Sequence, residues 1–161
     1  MSRRNQIAMS DEEVNTYLAS QLTIIIISNG REGYPHPMPM HFCVYPDHTI
    51  GMTTYRKSQK VLNFQRDPRA TLLVESGARY EELRSVMIYA TTEIIDDPAA
   101  TADCMVATRA HSIAARGEDT TPEEDAAFLE TAQRRAEKRL VLKFHPETYI
   151  SWDHSKLGGV Y

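Results

Sequence analysis

A short basic loop stands between two apolar segments in a chain that is acidic as a whole. It lies in "TTYRKSQKVLNFQRDPRATLLV", residues 53–74, and its chemically active side chains are those of Arg56, Lys57, Ser58 and Lys60. Ser58 is a plausible N-cap for a short helix, so free N–H groups, the positive end of the helix dipole and ammonium groups come together there. Such a combination binds anions, phosphate in particular. The spacing therefore indicates a phosphate site, while a nucleic-acid contact and an ordinary solvated helix start remain open.

Composition limits the partners that this loop can serve. The chain has 161 residues, of which 25% are charged, and a formal net charge of −4 at pH 7. Because duplex-binding domains usually carry a broad basic face, we expect no nucleic-acid partner. No apolar run reaches the length of a signal-peptide core or of a membrane span, which predicts a cytoplasmic protein with no membrane partner.

The remaining reactive side chains form no familiar catalytic or metal-binding pattern. His36 and His41 are five residues apart and no HxH or HExxH motif occurs, so no metal site is expected. Cys43 and Cys104 form no CxxC pair and lie in apolar surroundings that are typical of small buried side chains. No nucleophile stands beside a histidine pattern, so the catalytic residues stay unknown. If the protein is an enzyme, its chemistry belongs to a bound cofactor.

Local signals place helices on both sides of the loop in sequence. Ser10 forms a capping box with Glu13, which predicts a helix over residues 10–20. Pro98, at a favoured first helical position, predicts another helix over 98–115.

The strands are the elements that must position the loop. The β-branched run "LTIIIISN" predicts a strand buried on both faces. Pro37 and Pro39 alternate in the next strand, so the side to which their missing N–H groups point must lack a strand partner. It is either an open edge or a surface that faces a ligand. The strands follow one another mostly in adjacent pairs, which predicts an antiparallel α+β barrel, a single domain over residues 1–161.

Three segments, taken in order, resemble a known superfamily. They are "KSQKVLNFQRDPRATLLVE", "RYEELRSVMI" and "SWDHSKLGG", and they are similar to the split β-barrel flavin and deazaflavin oxidoreductases, which include pyridoxamine 5′-phosphate oxidase. The likeness covers nearly the whole chain and is greatest to the branch that often uses the deazaflavin coenzyme F420; other members use FMN and some bind haem. It implies an antiparallel six-stranded split β-barrel with flanking helices, and a homodimer with two cofactor sites at its interface. The arginine-rich pattern of true pyridoxamine 5′-phosphate oxidases is absent from "SWDHSKLGGVY", so that activity is not expected.

The resemblance also implies a set of cofactor-binding residues. The phosphate-binding stretch corresponds to Lys57, Ser58 and Lys60. The strand end beside the ribityl chain corresponds to Thr53 and Thr54, and the strand along the ring system to Pro39, Met40 and His41. Positions that approach the cofactor from the partner chain correspond to Arg84, Ser85 and Trp152.

The function implied is that of an oxidoreductase. A reduced cofactor, F420 favoured and FMN a close second, would pass a hydride to a small electron-poor substrate such as an enone, a quinone or a tetrapyrrole. Candidate proton donors are Tyr55 and His41. A basic groove for the F420 tail could be built from Arg56, Arg79 and Arg84. The alternative is a non-catalytic FMN or haem binding protein for storage, transfer or sensing.

Overall fold

A computed structural model describes residues 3–158; residues 1, 2 and 159–161, which the predicted domain also covered, lie outside that part. The helices are α1 (Arg3–Ile7), α2 (Asp11–Ala19), α3 (Gln59–Arg66), α4 (Pro98–Arg116) and α5 (Pro122–Ala136), with short 3-10 helices at Tyr80–Glu82 and His154–Leu157. The strands are β1 (Thr23–Asn29), β2 (Pro35–His41), β3 (Cys43–Val44), β4 (Ile50–Tyr55), β5 (Arg69–Ser76), β6 (Arg84–Ile95) and β7 (Arg139–Asp153).

The seven strands form one curled antiparallel sheet in the order β2-β1-β5-β6-β7-β4-β3. β2 and β3 stand at opposite ends of this order, yet only Phe42 separates them in the chain. The segment 35–44 therefore pairs with β1 through its first part and with β4 through its last two residues. If this segment is counted as one strand, the sheet closes into a barrel of six strands. The predicted α+β split-barrel class is confirmed.

The barrel interior holds the core, because alternate residues of each strand point inward. Phe42, Ile88 and Phe144 are fully buried there. α3 adds Val61 and Phe64 to the same cluster, and the Phe64 ring meets the Phe144 ring edge-on with centroids 5.6 Å apart. This packing fixes α3, and with it the basic loop, against one end of the barrel.

The helix starts that the sequence predicts are present. At α2, Ser10 Oγ accepts from the Glu13 N–H at 3.2 Å, and the Glu13 carboxylate accepts from the Ser10 N–H at 2.6 Å. At α4, the Asp97 carboxylate accepts from the Ala100 N–H at 2.7 Å, just before Pro98. The observed α4, Pro98–Arg116, differs by one residue from the predicted span 98–115.

Two strand predictions meet different outcomes. Within residues 3–158 β2 is hydrogen-bonded to β1 alone, so the side of the alternating prolines lacks a strand partner, as predicted. The prediction that β1 is buried on both faces is wrong. Ile24 and Ile26 face the core, but Ile25 and Ile27 are only half-buried on the outer face. An apolar β-branched run indicates that both faces of the strand are apolar. It does not indicate whether the second face is covered within one chain.

α4 and α5 pack together on the outside of the barrel. Cys43 of β3 and Cys104 of α4 are buried with Val141 of β7 in a small cluster between α4 and the barrel, as expected for small buried side chains. No helix within residues 3–158 is long and apolar enough to cross a membrane.

Candidate functional site

The start of α3 has backbone donors that no side chain caps. Ser58 holds the extended N-cap conformation, but its hydroxyl makes no capping bond to the helix. Ser58 Oγ lies instead 3.2 Å from Thr54 Oγ1, at the end of β4. The N–H groups of Gln59 and Lys60, in the first turn, have no acceptor within the helix. They point toward the side from which an anion would approach.

Lys60 is a buried cation without an acidic partner. Its side chain is 8% exposed, and Nζ donates to Thr54 Oγ1 at 3.1 Å. No carboxylate of residues 3–158 lies within ion-pair distance of it, whereas Lys143 and Lys156 pair with Asp47 and Glu13. Burial, and then the positive charge of Arg139, lower the pKa of Lys60. A buried ammonium that lacks a counter-charge is costly, so this position suits a bound anion.

The other cations of the loop have different environments. Lys57 is exposed at the turn before α3. Arg56 points away: its Nε donates to Asp96 at 3.0 Å and its NH1 donates to the Glu137 carbonyl at 3.0 Å. Arg56 thus ties the end of β4 to the connections on either side of the α4–α5 pair. Of the basic loop, only Lys57 and Lys60 are free of acidic partners.

The predicted ring-binding strand lies at an edge of the sheet. Pro39 is exposed, Met40 packs partly into the core, and His41 is exposed. His41 Nδ1 lies 3.0 Å from the Leu22 carbonyl. Because a carbonyl only accepts, Nδ1 carries the hydrogen, and in the neutral ring Nε2 is the acceptor.

Two residues that are distant in sequence meet beside this edge. His41 and Thr53 both line a cavity of about 290 Å³ whose other walls come from α4 and α5. Thr54, the next residue along β4, points to the opposite face, where it meets Ser58 and Lys60. The end of β4 therefore joins the phosphate-type cluster to the cavity beside β2.

Arg84, Ser85 and Trp152 form a second, separate cluster. Ser85 is opposite Trp152 in the sheet, and its hydroxyl donates to the Val74 carbonyl at 2.7 Å. Arg84 Nε lies 2.9 Å from the Asp153 carboxylate. Burial raises the pKa of Tyr17, whose ring lies under the Arg84 guanidinium at 5.0 Å and whose hydroxyl donates to the Arg84 carbonyl at 3.0 Å.

One chain does not bring the two clusters together. Arg139, at the start of β7, is opposite Tyr55, and Asp153, at its end, is opposite Arg84. This strand has 15 residues, and from Arg139 to Asp153 it spans roughly 45 Å of contour at about 3.3 Å per residue, so the clusters lie at opposite ends of β7.

The comparison with known protein families shows which family the chain belongs to. The family model described as pyridoxamine 5′-phosphate oxidase matches residues 10–153, from the capping residue of α2 to the end of β7. The chain belongs to this family.

Several solved structures have the same fold as this chain, and the proteins they represent are described in different ways. A conserved hypothetical protein from Mycobacterium tuberculosis is 29% identical, with a TM-score of 0.83 over 100% of this chain and 95% of that one. A putative 5-nitroimidazole antibiotic resistance protein from Bacteroides thetaiotaomicron is 17% identical, with a TM-score of 0.69 over 90% and 85%. An F420 reductase is 18% identical, with a TM-score of 0.53 over 80% and 88%. No curated protein gives a significant match.

Some residues around the site had no signal in the sequence. Asn63 is 1% exposed and donates to Ser28 Oγ at 2.9 Å, which fixes α3 on β1 one turn after Lys60. In the sequence, the only indication of this role is that Asn63 is a polar residue on the apolar face of a predicted helix. The residues of α4 and α5 that line the cavity could not be predicted from the sequence, because their position depends on how the two helices pack on the barrel. Within residues 3–158, no group of three or more His, Cys, Asp or Glu side chains is placed to hold a metal ion.

Proposed function

We propose that the protein is an oxidoreductase that binds a phosphate-bearing flavin-type cofactor, with F420 favoured and FMN a close second. The observation that carries the proposal is Lys60, a buried ammonium at an uncapped helix start with no acidic partner among residues 3–158. The fold family and its F420 reductase neighbour support this cofactor class.

The residues around α3 fit a phosphate group. Lys60 supplies the counter-charge, Thr54 holds its ammonium in place, and the first-turn N–H groups supply neutral donors. The Ser58 hydroxyl, which is not used as a cap, is available for a further hydrogen bond. Lys57 adds a solvent-exposed charge that attracts the anion from outside.

The open edge at β2 fits a ring system, and the cavity beside it leaves room for a second reactant. Pro39 keeps that edge free of another strand, so the backbone there is open to a flat ligand. When bound, the cofactor supplies the hydride for a small electron-poor substrate. The chain's part is to orient the two reactants and to exclude water.

His41 is the better of the two candidate proton donors. It lines the cavity, and the hydrogen bond from Nδ1 to the Leu22 carbonyl holds its ring there and leaves Nε2 for a ligand. Tyr55 does not line this cavity, and its ring lies under the Arg139 guanidinium at 4.1 Å.

We further propose that the working form is a cytoplasmic homodimer. The clusters at Lys60 and at Trp152 are at opposite ends of β7, which favours a cofactor site that takes one cluster from each chain. The half-buried outer face of β1 offers apolar area for such an interface.

The decisive experiment is a titration of the purified protein with FMN and with F420, followed by fluorescence, in wild type and in Lys60→Met. We expect tight binding of at least one cofactor and a marked loss in the variant. Oxidation of the reduced, bound cofactor by a panel of enones and quinones then tests turnover. Failure of both cofactors to bind would end the proposal, and binding without turnover would support a storage or sensing protein instead.

A further inference from the structure

The cavity beside His41 and Thr53 is walled mainly by the two outer helices. Its helical lining consists of Met105, Thr108, Arg109, Ser112, Arg116 and Phe128. None of these belongs to the segments that carry the family resemblance. The α4–α5 pair therefore forms the wall opposite the proposed ring-binding edge. A substrate that reacts with the ring would lie between this wall and that edge.

The charges in this wall are all positive. The lining contains Arg109 and Arg116 and no aspartate or glutamate. Each guanidinium has an acidic partner outside the lining: Arg109 NH1 pairs with Asp125, and Arg116 Nε lies 2.8 Å from Glu118.

Those pairs leave both arginines able to bind a further anion. The Asp125 and Glu118 side chains are 56% and 54% exposed, so water screens both pairs. A guanidinium has five N–H donors, more than an ion pair with one carboxylate uses. The remaining donors match the two oxygens of a carboxylate.

The rest of the lining is apolar and keeps one arginine in place. Met105 is 9% exposed, and Phe128 is half-buried with the Arg109 guanidinium 5.0 Å above its ring. The volume of about 290 Å³ lies at the lower end of the range for small-molecule pockets, which suits a ligand with a single ring or a short chain.

We propose that this cavity receives the substrate of the oxidoreductase proposed above, and that it selects a small, flat, unsaturated carboxylate whose anionic group binds Arg116 and Arg109. The assignment of the ligand as a substrate rests on that proposed function, whereas the selectivity for an anion rests on the cavity alone. Met105 and Phe128 would contact the apolar body of the ligand, and His41 would face its unsaturated part from the other wall.

Calorimetric titration with cinnamate and with its neutral amide tests the selectivity, in cofactor-free protein and in protein saturated with FMN or F420. We expect cinnamate to bind at least about tenfold more tightly than the amide, since charge-assisted hydrogen bonds are worth more than neutral ones. Arg116→Gln should remove most of that preference. Arg135→Gln, an exposed change on α5 outside the cavity, is the matched control and should leave it intact.

The outcomes separate the two proposals. Equal affinity for acid and amide, an unchanged preference in Arg116→Gln, or binding of cinnamate to neither form would overturn the cavity proposal. The cofactor affinity is measured in the same variants and should stay within about twofold of wild type in Arg116→Gln, because Arg116 lies outside the phosphate cluster. Selective cinnamate binding without any cofactor binding would support the cavity and refute the oxidoreductase.

Discussion

Replacing Lys60 with methionine should weaken cofactor binding strongly. Methionine fills similar space without the charge, so the packing of α3 is kept while the buried counter-charge for a phosphate is lost. A hydrogen bond to a charged group contributes about 1.5–3 kcal/mol, which corresponds to a loss of about tenfold to 150-fold in affinity. Lys57→Met is the matched control. Lys57 is exposed, so its charge should contribute about 0.2–1 kcal/mol, or at most about fivefold.

The same substitution should not destabilise the cofactor-free protein. Lys60 is 8% exposed and has no acidic partner in the described part of the chain, so removal of its ammonium relieves a desolvation cost. Thr54 loses one hydrogen bond but keeps the Ser58 hydroxyl as a neighbour at 3.2 Å. We therefore expect the free energy of unfolding of Lys60→Met to equal or exceed that of wild type.

The pH dependence of the free energy of unfolding tests separately whether the buried Lys60 charge is destabilising. The pKa of Lys60 is lowered in the folded protein, chiefly by burial, so between that value and the ordinary 10.5 the unfolded chain holds more protons than the folded one. Wild-type stability should therefore rise with pH across this window relative to Lys60→Met, by at most about 1.4 kcal/mol per pH unit. Below the window, wild type carries the full cost of the buried charge.

Urea denaturation of the cofactor-free proteins across this pH range and fluorescence titration with FMN and F420 supply all three quantities. If Lys60→Met unfolded more easily than wild type by over about 1 kcal/mol yet bound cofactor normally, Lys60 would be a structural residue and the site would be wrong. Equal effects of the Lys57 and Lys60 substitutions on affinity would also contradict the reasoning, because burial would then not matter.

Three further predictions concern the dimer, the support of α3 and one turn. Mixing Lys60→Met with Trp152→Ala chains, each defective alone, should restore about one quarter of the cofactor sites if each site combines both chains; titration of the refolded mixture measures this, and no recovery would argue against a shared site. Asn63→Ala should lower the free energy of unfolding by about 1–3 kcal/mol in urea, since Ser28 loses its buried partner at 2.9 Å. Gly77→Ala should cost more stability than Gly117→Ala in thermal unfolding: both glycines have positive φ, but of the two only Gly77 would bring a Cβ against backbone, at the Glu82 carbonyl. A milder effect at Gly77 would mean that its turn can shift.

Local signals in the sequence were sufficient for the starts of α2 and α4. Ser10 with Glu13, and Asp97 before Pro98, specify helix starts through bonds that span three residues, so neighbouring sequence contains all the information. The alternating prolines likewise fixed an edge, because a missing N–H group excludes a partner strand wherever the strand lies. These predictions needed no knowledge of the tertiary fold.

Contacts between distant segments could not be predicted in this way. Arg56 counted among the cations of the basic loop, yet its guanidinium binds Asp96, forty positions later, and the Glu137 carbonyl. Arg79 and Arg84, the other candidates for a basic tail groove, pair with Glu82 and Asp153. A cluster of cations in sequence is therefore a weaker signal than a cation that the fold leaves without an acid.

The burial of Lys60 follows from the way the barrel closes. α3 must place Val61 and Phe64 in the core, so Lys60, one residue before Val61, is carried to the barrel end beside Thr54. Within residues 3–158 its ammonium has no carboxylate within ion-pair distance, and Nζ is held by Thr54 Oγ1 at 3.1 Å. The packing that stabilises the fold thus holds a charge in an unfavourable state, and an anion bound at the helix start is the change that would relieve it. On this reasoning, affinity for phosphate is a consequence of the core packing of α3 and should weaken in any variant that lets the helix move.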